Sequence, residues 1–211
     1  MWAAAGLARL LFVALLAATP AIAAPSAPAP APEPAPGVTP AGAYWMQIES
    51  RIESGYFQQD AAGLTALAAA LPADRTAGDA NDAQWRSYYA ALIAYRQALL
   101  AKSDEDRAVP YTQRCVAALN RVLVLDAGSA EALALQSACL ALQSNLDPWR
   151  SPLAAPLSLA RIDKALKLAP ENPRVLLLGA LAARERPKLF GGDAQQSFQL
   201  MQRAVGAFER E

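Results

Sequence analysis

The sequence contains no histidine. That one absence removes the commonest general base, the commonest zinc ligand and the side chain that changes charge near neutral pH. Carboxylate or lysine chemistry survives it, yet no Gly-x-Ser-x-Gly nucleophile motif accompanies those residues. Excess charge of either sign is also missing, with 19 basic and 19 acidic residues. Phosphate backbones and anionic membrane surfaces are bound through a basic surplus, so neither is an expected partner. Aromatics make up only 7% of the chain. No segment alternates polar and apolar residues with a period of two, so no sheet is expected. The longest apolar run near the amino terminus, residues 10–18, is too short to span a bilayer comfortably.

What remains is rich in alanine and leucine, and hydrophobic residues reach 54%. Alanine loses no side-chain entropy in a helix, so this composition favours an all-α protein. Residues 1–23 have the three parts of a secretory signal: Arg9 near the amino terminus, the apolar run, then Pro20 and the small-x-small site Ala21-Ile22-Ala23. Cleavage is expected after Ala23 or one residue later. An uncleaved membrane anchor is the alternative, and no cysteine stands at the site to support a lipid anchor. The alternation of alanine and proline through residues 24–36 forms neither helix nor ladder, and residues 24–42 read as an extended spacer. A proline-motif ligand is the other reading of that segment. Residues 43–211 are then a single domain, large enough for a real core. Without Arg9 the mature chain from residue 24 carries one more acidic than basic group.

Helical periodicity begins at Tyr44, with Trp45, Ile48, Ile52 and Tyr56 on one face through residue 57. Asp60 is placed to cap a short helix that ends before Pro72. Further helices are expected over 82–102, 110–125, 130–144, 156–168, 173–186 and from 194 onward. Pro110 and Pro156 are read as first-turn residues, Asn172 and Asp193 as N-caps, and Gln196 as the partner in a capping box. The segments 103–106 and 145–152 read as loops.

Residues 118–133 and 160–176 can be overlaid, with Leu125 over Leu168 and Leu133 over Leu176. Each reads as a helix end, a short turn and a helix start. An internal repeat of this length signifies stacked helical hairpins. The run Ala165-Leu166-x-Leu168-x-Pro170-x-Asn172 resembles the junction between tetratricopeptide repeats, and small Ala180 suits the close helix contact of that family. The first stretch departs from it, with Ala127 in place of proline, and the period exceeds the usual one. Pro187-x-x-Phe190-Gly191-Gly192 resembles a turn in the last hairpin of a subset of exported bacterial tetratricopeptide-like proteins. The resemblance implies a TPR-like solenoid of stacked antiparallel hairpins.

Cys115 lies 13 residues before Gly128 and Cys139 lies 11 after it. In an antiparallel hairpin both stand about 17–20 Å from the turn, on faces that should meet. An oxidising compartment would join them; two buried free thiols are the alternative. Gly191-Gly192-Asp193 is read as a structural turn, Asp104-Glu105-Asp106 as solvated charge, and Glu49 with Glu53 as surface charge rather than an acid–base pair. Most of the aromatics on the first and third helices should fill the core. Trp45, Trp85 and Tyr89 are candidates for lining a groove, and Trp149 in its proline-flanked loop is a candidate exposed contact. These features together lead to the expectation of a non-enzymatic periplasmic interaction module. It would need no cofactor or metal and would bind another envelope protein or a peptide. A helper that binds a small ligand or serves a transport system is the alternative.

Overall fold

A computed structural model describes residues 40–71, 80–186 and 191–210. The expected leader over 1–23, the spacer up to residue 39 and the segment 187–190 of the last turn lie outside them. The described residues form eight α-helices and no strand: α1 Pro40–Phe57, α2 Ala61–Ala70, α3 Ala80–Leu100, α4 Glu105–Leu125, α5 Ala130–Leu146, α6 Ser151–Leu168, α7 Pro173–Glu185 and α8 Ala194–Phe208. Each helix packs on its neighbour in sequence; α5 also packs on α7, and α1 on α3.

Several helix starts were readable from their caps. The Asp60 carboxylate accepts the Gly63 N–H at 2.8 Å. The Asn172 side chain accepts the Val175 N–H at 3.0 Å, and Asp193 accepts those of Gln195 and Gln196. Three starts differ from expectation. α1 begins at Pro40 rather than Tyr44, because proline at a first helical position has its φ already set and no N–H to satisfy. α4 begins at Glu105, so part of the expected acidic loop is helix. Asp104 caps it by accepting the Arg107 N–H at 3.3 Å, and Glu105 and Asp106 lie at the positive end of the helix dipole. α6 begins at Ser151 rather than Pro156, with Pro152 taking the first-turn position. Pro110 and Pro156 therefore sit inside their helices. In the second turn each removes one backbone bond near the helix end, where the loss is smallest.

The two overlaid stretches fold alike. After α4, Asp126 N–H donates to Val122, Ser129 N–H to Asp126 and Leu133 N–H to Ser129; after α6, Ala169 donates to Ala165, Asn172 to Ala169 and Leu176 to Asn172. Every partner is displaced by the same 43 positions. The side chains follow the same register: Cys115 and Ser158, Leu119 and Ile162, Val122 and Ala165, Leu133 and Leu176 are all buried pairs. α8 continues the pattern after a shorter step. Ser158 Oγ donates to the Ser137 carbonyl at 2.9 Å, and Ser197 Oγ donates to the Ala180 carbonyl at 2.8 Å. Lys164 donates to the Ala127 carbonyl and Arg203 to the Pro170 carbonyl. Two independent contacts thus place α8 against α7 and the turn before it, as α6 is placed against α5 and the turn before that.

The largest core cluster joins α1 to α5 through Trp45, Ile52, Ile93, Leu119 and Leu135. Smaller clusters bind α5, α6 and α7 around Ile162 and Val175, and α7 to α8 around Leu176 and Leu200. Cys115 of α4 and Cys139 of α5 are fully buried, with Cα atoms 6.3 Å apart and their sulfurs joined in a disulfide. A Cβ on Gly179 would press on Leu166 at 3.1 Å, where α6 and α7 approach, and Gly191 adopts the left-handed φ of 82° that its turn requires.

Candidate functional site

Trp45 and Tyr89, candidates for lining a groove, are both buried. Their rings stack at 5.3 Å with planes 7° apart, sealing α1 onto α3. Tyr88 meets Tyr89 edge-on at 5.4 Å. Trp85 stacks on Tyr89 at 6.1 Å and remains 38% exposed. The aromatics act mainly as core, because one helix turn places Trp85, Tyr88 and Tyr89 where α1 covers α3.

A polar knot closes over this stack. Glu49 of α1 accepts the Tyr89 hydroxyl proton at 3.2 Å and two guanidinium bonds from Arg174 of α7, at 2.9 and 3.2 Å. The Asn172 amide donates to Glu131 at 2.7 Å. Beside these groups is a recess of about 170 Å³ between Trp85, Tyr88, Val122, Glu131 and Asn172. Burial drives the Tyr88 and Tyr89 phenols well above their ordinary range, and the Glu131 and Glu49 carboxylates add to the shift. Burial likewise pushes Tyr95 up to about 12. A second carboxylate of α1, Glu53, takes two short bonds from Arg96, whose guanidinium lies 4.5 Å over the Tyr56 ring. Glu49 and Glu53 are therefore half-buried ion pairs, not the exposed surface charge expected of them. Arg174 and Arg96 come from helices remote in sequence, which is why spacing alone gave no sign of them. Both carboxylates are held by guanidinium groups and serve to lock α1 down.

No known family model, curated protein or solved structure matches this chain.

Two features lie open to solvent. Trp149 is 94% exposed, and its N–H donates to Asp147, which also pairs with Arg150 at 3.0 Å. Leu153 and Leu157, four residues apart on α6, are exposed as well. The second feature is α8. It buries Ser197, Leu200, Ala204 and Ala207 against α7 but leaves Phe198 58%, Val205 53% and Phe208 40% exposed, with Met201 half-buried between them. In the shared register Phe198, Met201 and Val205 correspond to Leu159, Ile162 and Leu166 of α6, and to Val116, Leu119 and Leu123 of α4. Those residues are buried or half-buried, and apart from Leu159, which lines a recess between α5, α6 and α7, they pack into the core clusters. Sequence spacing carries a signal of the α8 stripe: apolar residues occupy two faces of this helix, and a surface helix with one face on the core needs only one.

A concavity lies between the end of α5, the start of α6 and the end of α7, with a volume of about 600 Å³. Among the described residues, no group of three or more cysteine, aspartate or glutamate side chains gathers in a way that could hold a metal ion. No helix there is long and apolar enough to cross a membrane.

Proposed function

We propose that this chain is an exported, non-enzymatic interaction module: a TPR-like stack of antiparallel hairpins, carried to the periplasm by a leader cleaved near Ala23. Its partner is another envelope protein that lays an amphipathic helix on α8. The observation that carries this reading is the uncovered stripe Phe198, Met201, Val205 and Phe208. The equivalent stripes of α4 and α6 are each covered by a following helix, α5 and α7. The chemistry that fits α8 is therefore another helix with an apolar face, meeting it ridge into groove. The rim of the stripe carries Gln195, Gln199 and Gln202, with the carboxylate Glu209 at one end, and a helix face with few charges suits an interface centre.

The test is a photo-crosslinking residue placed at Phe198 or Val205 in the exported protein, with the captured peptide sequenced. One envelope protein, crosslinked through an apolar-striped helix and lost in Val205→Asp at unchanged melting temperature, is the expected result. Crosslinks between copies of this chain, or a partner that ignores Val205→Asp, would count against it. Trp149 provides a second crosslinking position for the same partner.

A second reading, a small-ligand or transport-auxiliary protein, is favoured by the concavity between α5, α6 and α7, whose volume suits a small molecule.

A further inference from the structure

The walls of that concavity are largely apolar, supplied by Ala141, Pro152, Ala155, Leu159 and Ala182. Three serines also line it, but their hydroxyls are engaged. Ser144 and Ser151 bond to each other at 2.8 Å, and Ser158 bonds to Ser137. Arg186, at the end of α7, differs from them. Its side chain is only 17% exposed, and its Nε is buried with no hydrogen-bond partner among the described residues. Its paired carboxylate, Asp163, is 4.0 Å from the guanidinium and mostly in water itself. A guanidinium cannot shed its proton, so one drawn this far from water is favoured by an anion on the part of it that lines the recess.

We propose that this recess binds a small monocarboxylate with an apolar body, its carboxylate held by Arg186 and its body against Ala141, Ala155, Leu159 and Ala182. The inference rests on the small-ligand reading and is independent of the α8 surface. A carboxylate matches the planar fork of the guanidinium. A single negative charge is favoured because Glu185 also lines the recess and would repel a dianion.

Calorimetric titration of the whole protein with octanoate, octanamide and octyl phosphate tests this. Octanoate should bind saturably at one site and octanamide about tenfold or more weaker, since a charge-assisted pair is then lost. Arg186→Gln should weaken octanoate by a similar factor and leave octanamide unchanged. Ala155→Leu, which fills the recess without touching charge, should abolish both; circular dichroism melts identify folded variants. Loss of octanoate binding in folded Ala155→Leu supports the site even if Arg186→Gln fails to fold. Equal binding of octanamide, or octyl phosphate binding more tightly than octanoate, overturns the monocarboxylate and leaves the small-ligand reading standing. Failure of all three probes overturns both.

Discussion

Reducing the Cys115–Cys139 bridge isolates one energetic contribution, because the side chains on either side of the experiment are otherwise identical. The crosslink closes a loop with a sequence separation of 24. Restricting a loop of that length in the unfolded chain is worth about 3.5 kcal/mol at 25 °C on the chain-entropy account. For a domain of this size, where each kcal/mol moves the midpoint by roughly 2–4 °C, the melting temperature should fall by about 7–14 °C. The assay is thermal unfolding followed by circular dichroism. The oxidised protein is compared with protein unfolded in reductant, refolded and kept reduced. Both cysteines are fully buried, so reductant added to the native protein should act only at the rate of unfolding or local opening. Double substitution to alanine is a poorer comparison, since it also removes packed sulfur atoms from the core. Coincident melting curves for the two forms, or free thiols in the denatured and unreduced protein, would refute the reasoning.

Three further outcomes are expected. In a double-mutant cycle, Glu49→Ala and Arg174→Ala should show a coupling of about 1–2 kcal/mol, because the bidentate pair is mostly withdrawn from water; an additive result would place the hold on α1 in Trp45 and Ile52 alone. Asn172→Ala should cost about 1–2 kcal/mol in chemical denaturation, as it removes both the cap on Val175 and the bond to Glu131. Stability should also fall in alkali. The folded pKa of Tyr95 lies near 12, above the value of about 10 for a free phenol, so its contribution is complete below about pH 10 and lost as pH rises through 12. Tyr88 and Tyr89 shift in the same direction. Denaturation midpoints measured across that range, with Tyr95→Phe flattening the slope, check this.

Caps and turns were legible in the sequence because they are local. Asp60, Asn172 and Asp193 each satisfy an N–H within three residues, and the overlaid stretches predicted two junctions with the same hydrogen bonds. The cysteine pair was legible for a related reason: equal distances from one turn bring two helix positions to one height. Errors arose where two local rules competed. Proline was taken as a start signal at 110 and 156, but the Asp104 cap and Pro152 begin those helices earlier. Contacts such as that of Arg174 with Glu49, 125 residues apart, leave no trace in spacing.

The sequence by itself determined an all-helical fold for the described residues, the capped starts of α2, α7 and α8, the two equivalent junctions and the meeting of Cys115 with Cys139. All of these follow from 3.6-residue periodicity, capping and the reach of a short connection. Only the tertiary structure decided which aromatics are core and which surfaces are open. Trp45 and Tyr89 are hidden because α1 lies across α3, and Phe198 and Val205 are exposed because, among the described residues, no helix covers α8 as α7 covers α6. Burial depends on what arrives from elsewhere in the chain, and that is a property of the packed molecule rather than of any one segment.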